Sequence, residues 1–300
     1  MTIQPISRLR LTRRGLVLAG CLFFAVLLGG CEAAGSYQYR WNLFFDSLLR
    51  PSPQILAGLG LTLGIAIISQ LLGVILGVFG ALGRLSRLSP VRLLSGFYVW
   101  FFRGTPLLVQ IALIYFGLGV TGIYRWDRHP LFGLIPGAWQ AGVVALAVNE
   151  GAYMTEIVRA GILSIDRGQL EAARSLGMTY RTAMRRIVLP QAARIIVPPL
   201  GNEFNNMLKT TSLLVVISVP ELYVVFSRLN GNYFAPFEFF LAAAVWYLLL
   251  TTAWGFVQAS IERRLGRGFD GGEDRPGLRE RLFGSRLSRA PDPSRVSGGR

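Results

Sequence analysis

The chain has 300 residues, of which 52% are hydrophobic and 16% charged, and it carries a net charge of +15. Soluble domains have about a quarter of their residues charged, so this composition excludes an ordinary soluble fold and points to a membrane protein. It also argues against nucleic-acid binding, which needs a compact basic face, because the arginines lie at the ends of apolar blocks and in a C-terminal tail, where they set topology.

Residues 1–31 start with a basic flank (Arg8, Arg10, Arg13, Arg14), continue through an apolar stretch and close on Gly29, Gly30 and Cys31. This order fits a secretory signal. The Leu28-Gly29-Gly30-Cys31 run resembles a lipoprotein cleavage box, and a retained signal-anchor helix fits the same residues. Either reading puts residues 32–53 outside. Cys21, Cys31 and the single His129 are too few for a zinc site of four ligands, so neither a metal nor another cofactor is expected in this chain. Nor do two cysteines support a disulfide framework.

Apolar blocks follow at 54–82, 105–120, 137–160, 195–219 and 237–259, each near the length that crosses a bilayer of about 30 Å. Arginines cluster on alternate loops: Arg84, Arg87 and Arg92, then six between Arg167 and Arg194, then Arg263, Arg264 and Arg267. The other loops hold fewer. Because arginine-rich short loops stay in the cytoplasm, both termini are expected there, with five core spans in a permease domain at 54–262 and an N-terminal sixth segment unless it is cleaved. The polar tail, 263–300, is expected to be disordered for lack of apolar surface to bury, with its arginines available to anionic membrane lipids. Residues 89–102 are read as an interfacial helix. A break follows at Gly104, with Thr105 as N-cap and Pro106 at the first helical position, and Arg103 at the cytoplasmic interface.

The cytoplasmic loop at 162–194 carries the most specific pattern. Asp166 followed three residues later by Gln169 suggests a capping box. Gly177 is placed to close the first helix in a left-handed turn. Thr179 can cap a second helix, expected to end near Pro190.

Glu171-Ala172-Ala173, then Gly177, then Ile187, Leu189 and Pro190, resembles the cytoplasmic EAA motif of the permease subunits of binding-protein-dependent ABC importers. FFRGTPLLVQ from Phe101, AYMTEIVRAGI from Ala152, GQLEAARSLGM from Gly168 and KTTSL from Lys209 are similar to the polar amino acid branch of that family. The resemblance spans about 54–262. It implies an all-α polytopic protein of the type I ABC importer permease fold, with Glu171, Ala172, Ala173, Gly177, Ile187, Leu189 and Pro190 forming the coupling surface for an ATPase dimer. It further implies a second permease, identical or homologous, an extracytoplasmic solute-binding protein and an amino acid substrate. The only lysine, Lys209, lies outside any glycine-rich phosphate loop; the chain is therefore expected not to be an enzyme, with ATP and Mg on the partner ATPase.

Ionisable groups within spans mark functional candidates, since each costs about 2.5–3.5 kcal/mol to insert. Asn149, Glu150, Tyr153 and Glu156 lie in the fourth span, and Asn202, Glu203, Asn205, Asn206 and Lys209 in the fifth, with Thr210, Thr211 and Ser212 following. Spacing puts Asn202, Asn205, Asn206 and Lys209 on one face. The candidate substrate path is Glu150, Tyr153, Glu156, Asn202, Asn205, Lys209, Thr210 and Ser212. Lys209 would meet a carboxylate and Glu150 or Glu156 an amine; ties between helices, a Lys209–Glu150 pair and an Arg159–Glu156 bridge are the structural alternatives. An ion-coupled secondary transporter is the rival reading, though no internal repeat supports it.

Overall fold

The computed structural model describes residues 37–126 and 135–266. The signal-like segment with Cys21 and Cys31, His129, and the tail beyond Gly266 lie outside the described residues. The elements are α1 (Trp41–Leu49), α2 (Pro53–Arg84), α3 (Ser89–Gly104), α4 (Leu107–Ala112), α5 (Gly137–Leu163), α6 (Arg167–Ser175), α7 (Tyr180–Ala183), α8 (Leu189–Thr210), α9 (Leu222–Tyr233) and α10 (Pro236–Gly266). Two π-helical stretches interrupt this order, Leu113–Gly117 after α4 and Met184–Val188 after α7, and α8 tightens into a 3₁₀ helix over Thr211–Ile217.

Among the described residues, α2 and Pro236–Arg264 of α10 are each long and apolar enough to cross a membrane. Two bent pairs qualify when joined: Ser89–Gly104 with Leu107–Val120, bent by 107°, and Tyr180–Ile217 with Leu222–Tyr233, bent by 51°. α5 is less apolar because it sits inside the bundle, where Asn149, Glu150, Ala152, Met154 and Thr155 are all buried. A helix shielded from lipid can carry polar residues on its protein-facing sides.

The α2–α5 contact is the backbone of the core, and small residues make it possible. A Cβ at Gly73 would lie 2.6 Å from Glu150 Cγ, and Gly77 and Gly80 leave similar room for Met154 and Thr155. Close approach of small-residue stripes is how membrane helices gain packing energy where lipid removes the hydrophobic drive.

Three local expectations need correction. α3 is not an interfacial helix: Ser95 Oγ donates to the Gly80 carbonyl at 2.7 Å and Tyr98 OH to that of Val148 at 2.6 Å, so α3 climbs antiparallel to α2 as far as the middle of α5. Arg103 consequently lies over the Tyr153 ring, 5.1 Å from its centroid, well before the end of α5. The break is at the expected place, but Pro106 is the N-cap and the Thr105 hydroxyl donates back to the Phe101 carbonyl at 2.9 Å. Finally, Pro190 does not end the second loop helix. The chain runs from α7 through the π stretch into α8, whose first turn tolerates proline because its missing N–H is compensated by the wider π turn before it.

A short amphipathic helix, α1, was not anticipated within 32–53. Its Trp41 and Phe44 form an aromatic cluster with Tyr39 and Phe237, and the Ser47 carbonyl accepts from Trp246 Nε1 at 3.1 Å. Such rings suit a membrane interface.

Candidate functional site

The cytoplasmic hairpin is built from local rules. Asp166 caps α6 by accepting from Gly168 N–H at 2.6 Å, one residue earlier than a capping box would place the bond. At the far end Gly177 has φ +78°. Its N–H bonds to the Arg174 carbonyl at 2.9 Å, and Met178 N–H bonds to that of Ala173 at 3.1 Å, the bond pair of a Schellman motif. Thr179 then caps α7 through Thr182 N–H at 3.3 Å. Ala173 is buried under the hairpin and Ile187 is half-buried, while Glu171, Ala172, Leu189 and Pro190 are exposed, as are Leu176 at 83% and Tyr180 at 57%. An outward rim of Glu171, Leu176 and Tyr180 around a rigid turn is a surface suited to a partner.

A second centre lies where α3 breaks. Breaking a helix inside a bundle strands carbonyls that have no water to turn to. Gln110 meets this need: its Nε2 donates to the Phe102 carbonyl at 2.8 Å and to Thr105 Oγ1 at 2.7 Å. Asn149 Nδ2 in turn donates to the Phe102 carbonyl and to Gln110 Oε1, both at 3.0 Å. Asn149 is thus an interhelical tie.

Beside this break a cavity of about 400 Å³ is lined by Thr105, Leu107, Glu150, Tyr153, Glu203, Asn206 and Thr210, among others. Glu150 is buried and accepts from Gln70 Nε2 at 3.0 Å. The cavity gathers two carboxylates, an amide, hydroxyls and an aromatic ring between α4, α5 and α8. Such convergent polar groups can hydrogen-bond a small polar solute away from bulk water.

Of the eight residues expected to line the path, the cavity contains Glu150, Tyr153 and Thr210. Lys209 and Ser212 face a different groove, lined with Tyr223, Phe240 and Tyr247, so Lys209 does not pair with Glu150. Asn202 is exposed and accepts from Gln258 Nε2 at 3.0 Å, tying α8 to α10. Asn205 is half-buried and Asn206 lines the cavity, so the expected single face of α8 is split. Glu156 is bound to Arg159 at 2.6 Å and to Arg84 at 3.6 Å, which makes it a tie between α5 and α2.

Sequence reasoning left Glu203 and Asn206 out of the path, although Glu203, Asn206 and Thr210 recur at helical spacing and would have revealed the second face of α8. It also missed Glu221, fully buried at the N-cap of α9. Glu221 accepts from Val224 N–H at 2.9 Å, Tyr247 OH at 2.6 Å and Thr62 Oγ1 at 3.3 Å. The only signal was a glutamate after Pro220, at the start of an apolar run.

The family model described as the inner membrane component of binding-protein-dependent transport systems matches residues 69–267, two thirds of the sequence. The chain belongs to that family. A relative named as the arginine transport system permease protein ArgU of Corynebacterium glutamicum is 35% identical over 272 residues, covering 88% of this chain and 84% of its own. The L-cystine transport system permease protein TcyB of Bacillus subtilis is 36% identical, covering 76% of this chain and 92% of its own. A solved amino acid ABC transporter with histidines shares 40% identity at a TM-score of 0.65, covering 73% of this chain and 98% of its own. Family membership supports an ATP-driven importer and gives no support to the ion-coupled alternative. It makes the chain a membrane subunit that works with an ATPase and a binding protein.

Proposed function

We propose that this permease forms the translocation path for a polar amino acid, delivered from outside by a solute-binding protein. The observation that carries the reading is the pair of devices in one chain: a rigid cytoplasmic hairpin and, between the spans, a polar cavity at a broken helix. The relatives' names, arginine, cystine and other amino acid systems, support the substrate class.

Glu171, Ala172, Gly177, Leu189 and Pro190, with Ala173 buried and Ile187 half-buried beneath them, are proposed as the coupling surface that meets an ATPase dimer, where ATP and Mg are bound. Closure of the ATPases would move the hairpin as a rigid body. Because α7 runs without a stop through the π stretch into α8, that movement reaches Glu203, Asn206 and Thr210 directly. A π stretch is a common place for a helix to carry adjustment. Within the cavity, Glu150 and Glu203 can accept from a substrate ammonium, while the Asn206 amide can donate to its carboxylate. Lys209, Ser212, Asn202 and Asn205 face away from this cavity, where a second permease, identical or homologous, would complete the path.

The arginine pattern supports a cytoplasmic C-terminus and a hairpin on the same side. The assignment is tested by reconstituting the chain with its ATPase and binding protein and screening amino acids for stimulation of ATP hydrolysis. Stimulation by one or a few polar amino acids supports it. Stimulation by none of the twenty, with hydrolysis intact, removes the substrate class.

A further inference from the structure

A groove of about 620 Å³, sharing no lining residue with the polar cavity, lies between the end of α2 and an exposed face of α3. Its walls have two chemistries. Arg84, Arg92 and Ser89 supply its polar lining, and Leu93, Phe97 and Trp100 its apolar lining. The three apolar residues share one face of α3 at spacings of four and three, and all are exposed, at 75%, 57% and 69%.

The basic lining is held in place. Arg84 is braced from behind by Glu156 at 3.6 Å, and its Nη1 lies 2.8 Å from where a Cβ at Gly96 would stand. A side chain at Gly96 would oblige the guanidinium to shift from this place against α3. Glu156 also holds Arg159 at 2.6 Å, so the cluster of Arg84, Arg92, Arg159 and Glu156 keeps a net positive charge. Among the described residues Arg92 makes two long bonds, to the Ser86 carbonyl and to Ser89 Oγ, both 3.4 Å, and no carboxylate of the described residues is paired with it.

We propose that this groove binds an anionic phospholipid of the cytoplasmic leaflet, its phosphate on Arg84 and Arg92 and an acyl chain along Leu93, Phe97 and Trp100. The charge order decides the occupant. A free anion would leave the apolar wall uncovered, and an apolar protein face would bury two guanidinium groups without a partner. A lipid satisfies both linings, and basic pockets between membrane helices on the cytoplasmic side are suited to anionic head groups. The inference goes beyond the transport reading and requires only that residues 84–92 face the cytoplasm.

The test uses the intact transporter in phosphatidylcholine bilayers containing equal fractions of brominated-acyl phosphatidylglycerol or brominated-acyl phosphatidylcholine. Quenching of Trp100 is read as the difference between the parent protein and Trp100→Phe. The expected result is preferential quenching by the phosphatidylglycerol, with an apparent affinity about five-fold above phosphatidylcholine for each arginine engaged. In Arg92→Gln the preference falls by that factor while membrane amount and ATP hydrolysis are unchanged, and Arg84→Gln gives a second, independent loss. Equal quenching by both lipids overturns the proposal in favour of ordinary boundary lipid. No quenching by either overturns it in favour of a protein chain covering the face. Full displacement by millimolar inorganic phosphate overturns it in favour of a simple anion site.

Discussion

Lys209 and Glu150 show how a single helical position changes a reading. The two looked like partners because each is a costly charge within a span, yet they line different grooves, Glu150 the polar cavity and Lys209 the one beside Tyr223 and Tyr247. Glu150→Gln and Lys209→Ala should therefore have additive effects on thermal stability, within about 0.5 kcal/mol. A double-mutant cycle on the purified transporter measures this, and a coupling energy above about 1 kcal/mol would restore the ion pair. Gly77 is a residue of the opposite kind, defined by what it lacks. Met154 occupies the place of its missing side chain, and the contact is between helices that cannot separate without opening the core. Gly77→Leu should destabilise the protein by about 1–3 kcal/mol through overpacking, seen as a lower melting temperature in detergent, whereas Gly60→Ala, with open space around it, should hold or slightly raise the melting temperature, since alanine is the better helix residue.

At the scale of elements, what could be read from sequence depended on whether the signal was local. The hairpin was legible because its determinants sit within a few residues of what they control: Asp166, Gly177 and Thr179 each occupy the position their chemistry requires. The break at Thr105-Pro106 was legible for the same reason. The path of α3 was not, because Tyr98 and Phe102 bond to α5 some fifty residues away. The apolar residues of α3 fit an interfacial and a transmembrane helix equally. Glu221 was illegible on the same ground, since its partners Thr62 and Tyr247 come from α2 and α10. The broken span yields a prediction of its own. Gln110→Leu should leave the Phe102 and Thr105 carbonyls and the Asn149 amide short of partners, at a cost of about 1–3 kcal/mol. Loss of stability should exceed that of Gln140→Leu, whose side chain bonds the exposed Ile135 carbonyl at 2.9 Å; equal losses in thermal melts would show that the break is satisfied by other means.

In the molecule as a whole, α7 and α8 connect the proposed coupling hairpin to the intramembrane cavity. Its topology is open to a simple check: a cysteine at Arg181 should be inaccessible to an impermeant thiol reagent in intact cells and labelled after permeabilisation. The hairpin itself turns on Gly177, whose φ of +78° is strained for a β-branched side chain by about 1 kcal/mol or more. Gly177→Val, outside the spans, should reach the membrane at near-normal amount yet misdirect α6 and α7, and Glu171→Lys should disturb the same contact by charge. The most direct measurement is amino acid uptake and ATP hydrolysis together, in proteoliposomes holding the parent or Gly177→Val permease with its ATPase and binding protein. The expected result is ATP-dependent uptake by the parent and, in Gly177→Val, uptake lost with weakened ATPase binding or with hydrolysis no longer linked to transport. Full ATPase binding with normal uptake in Gly177→Val, or uptake by the parent driven by an ion gradient without ATP, would contradict it.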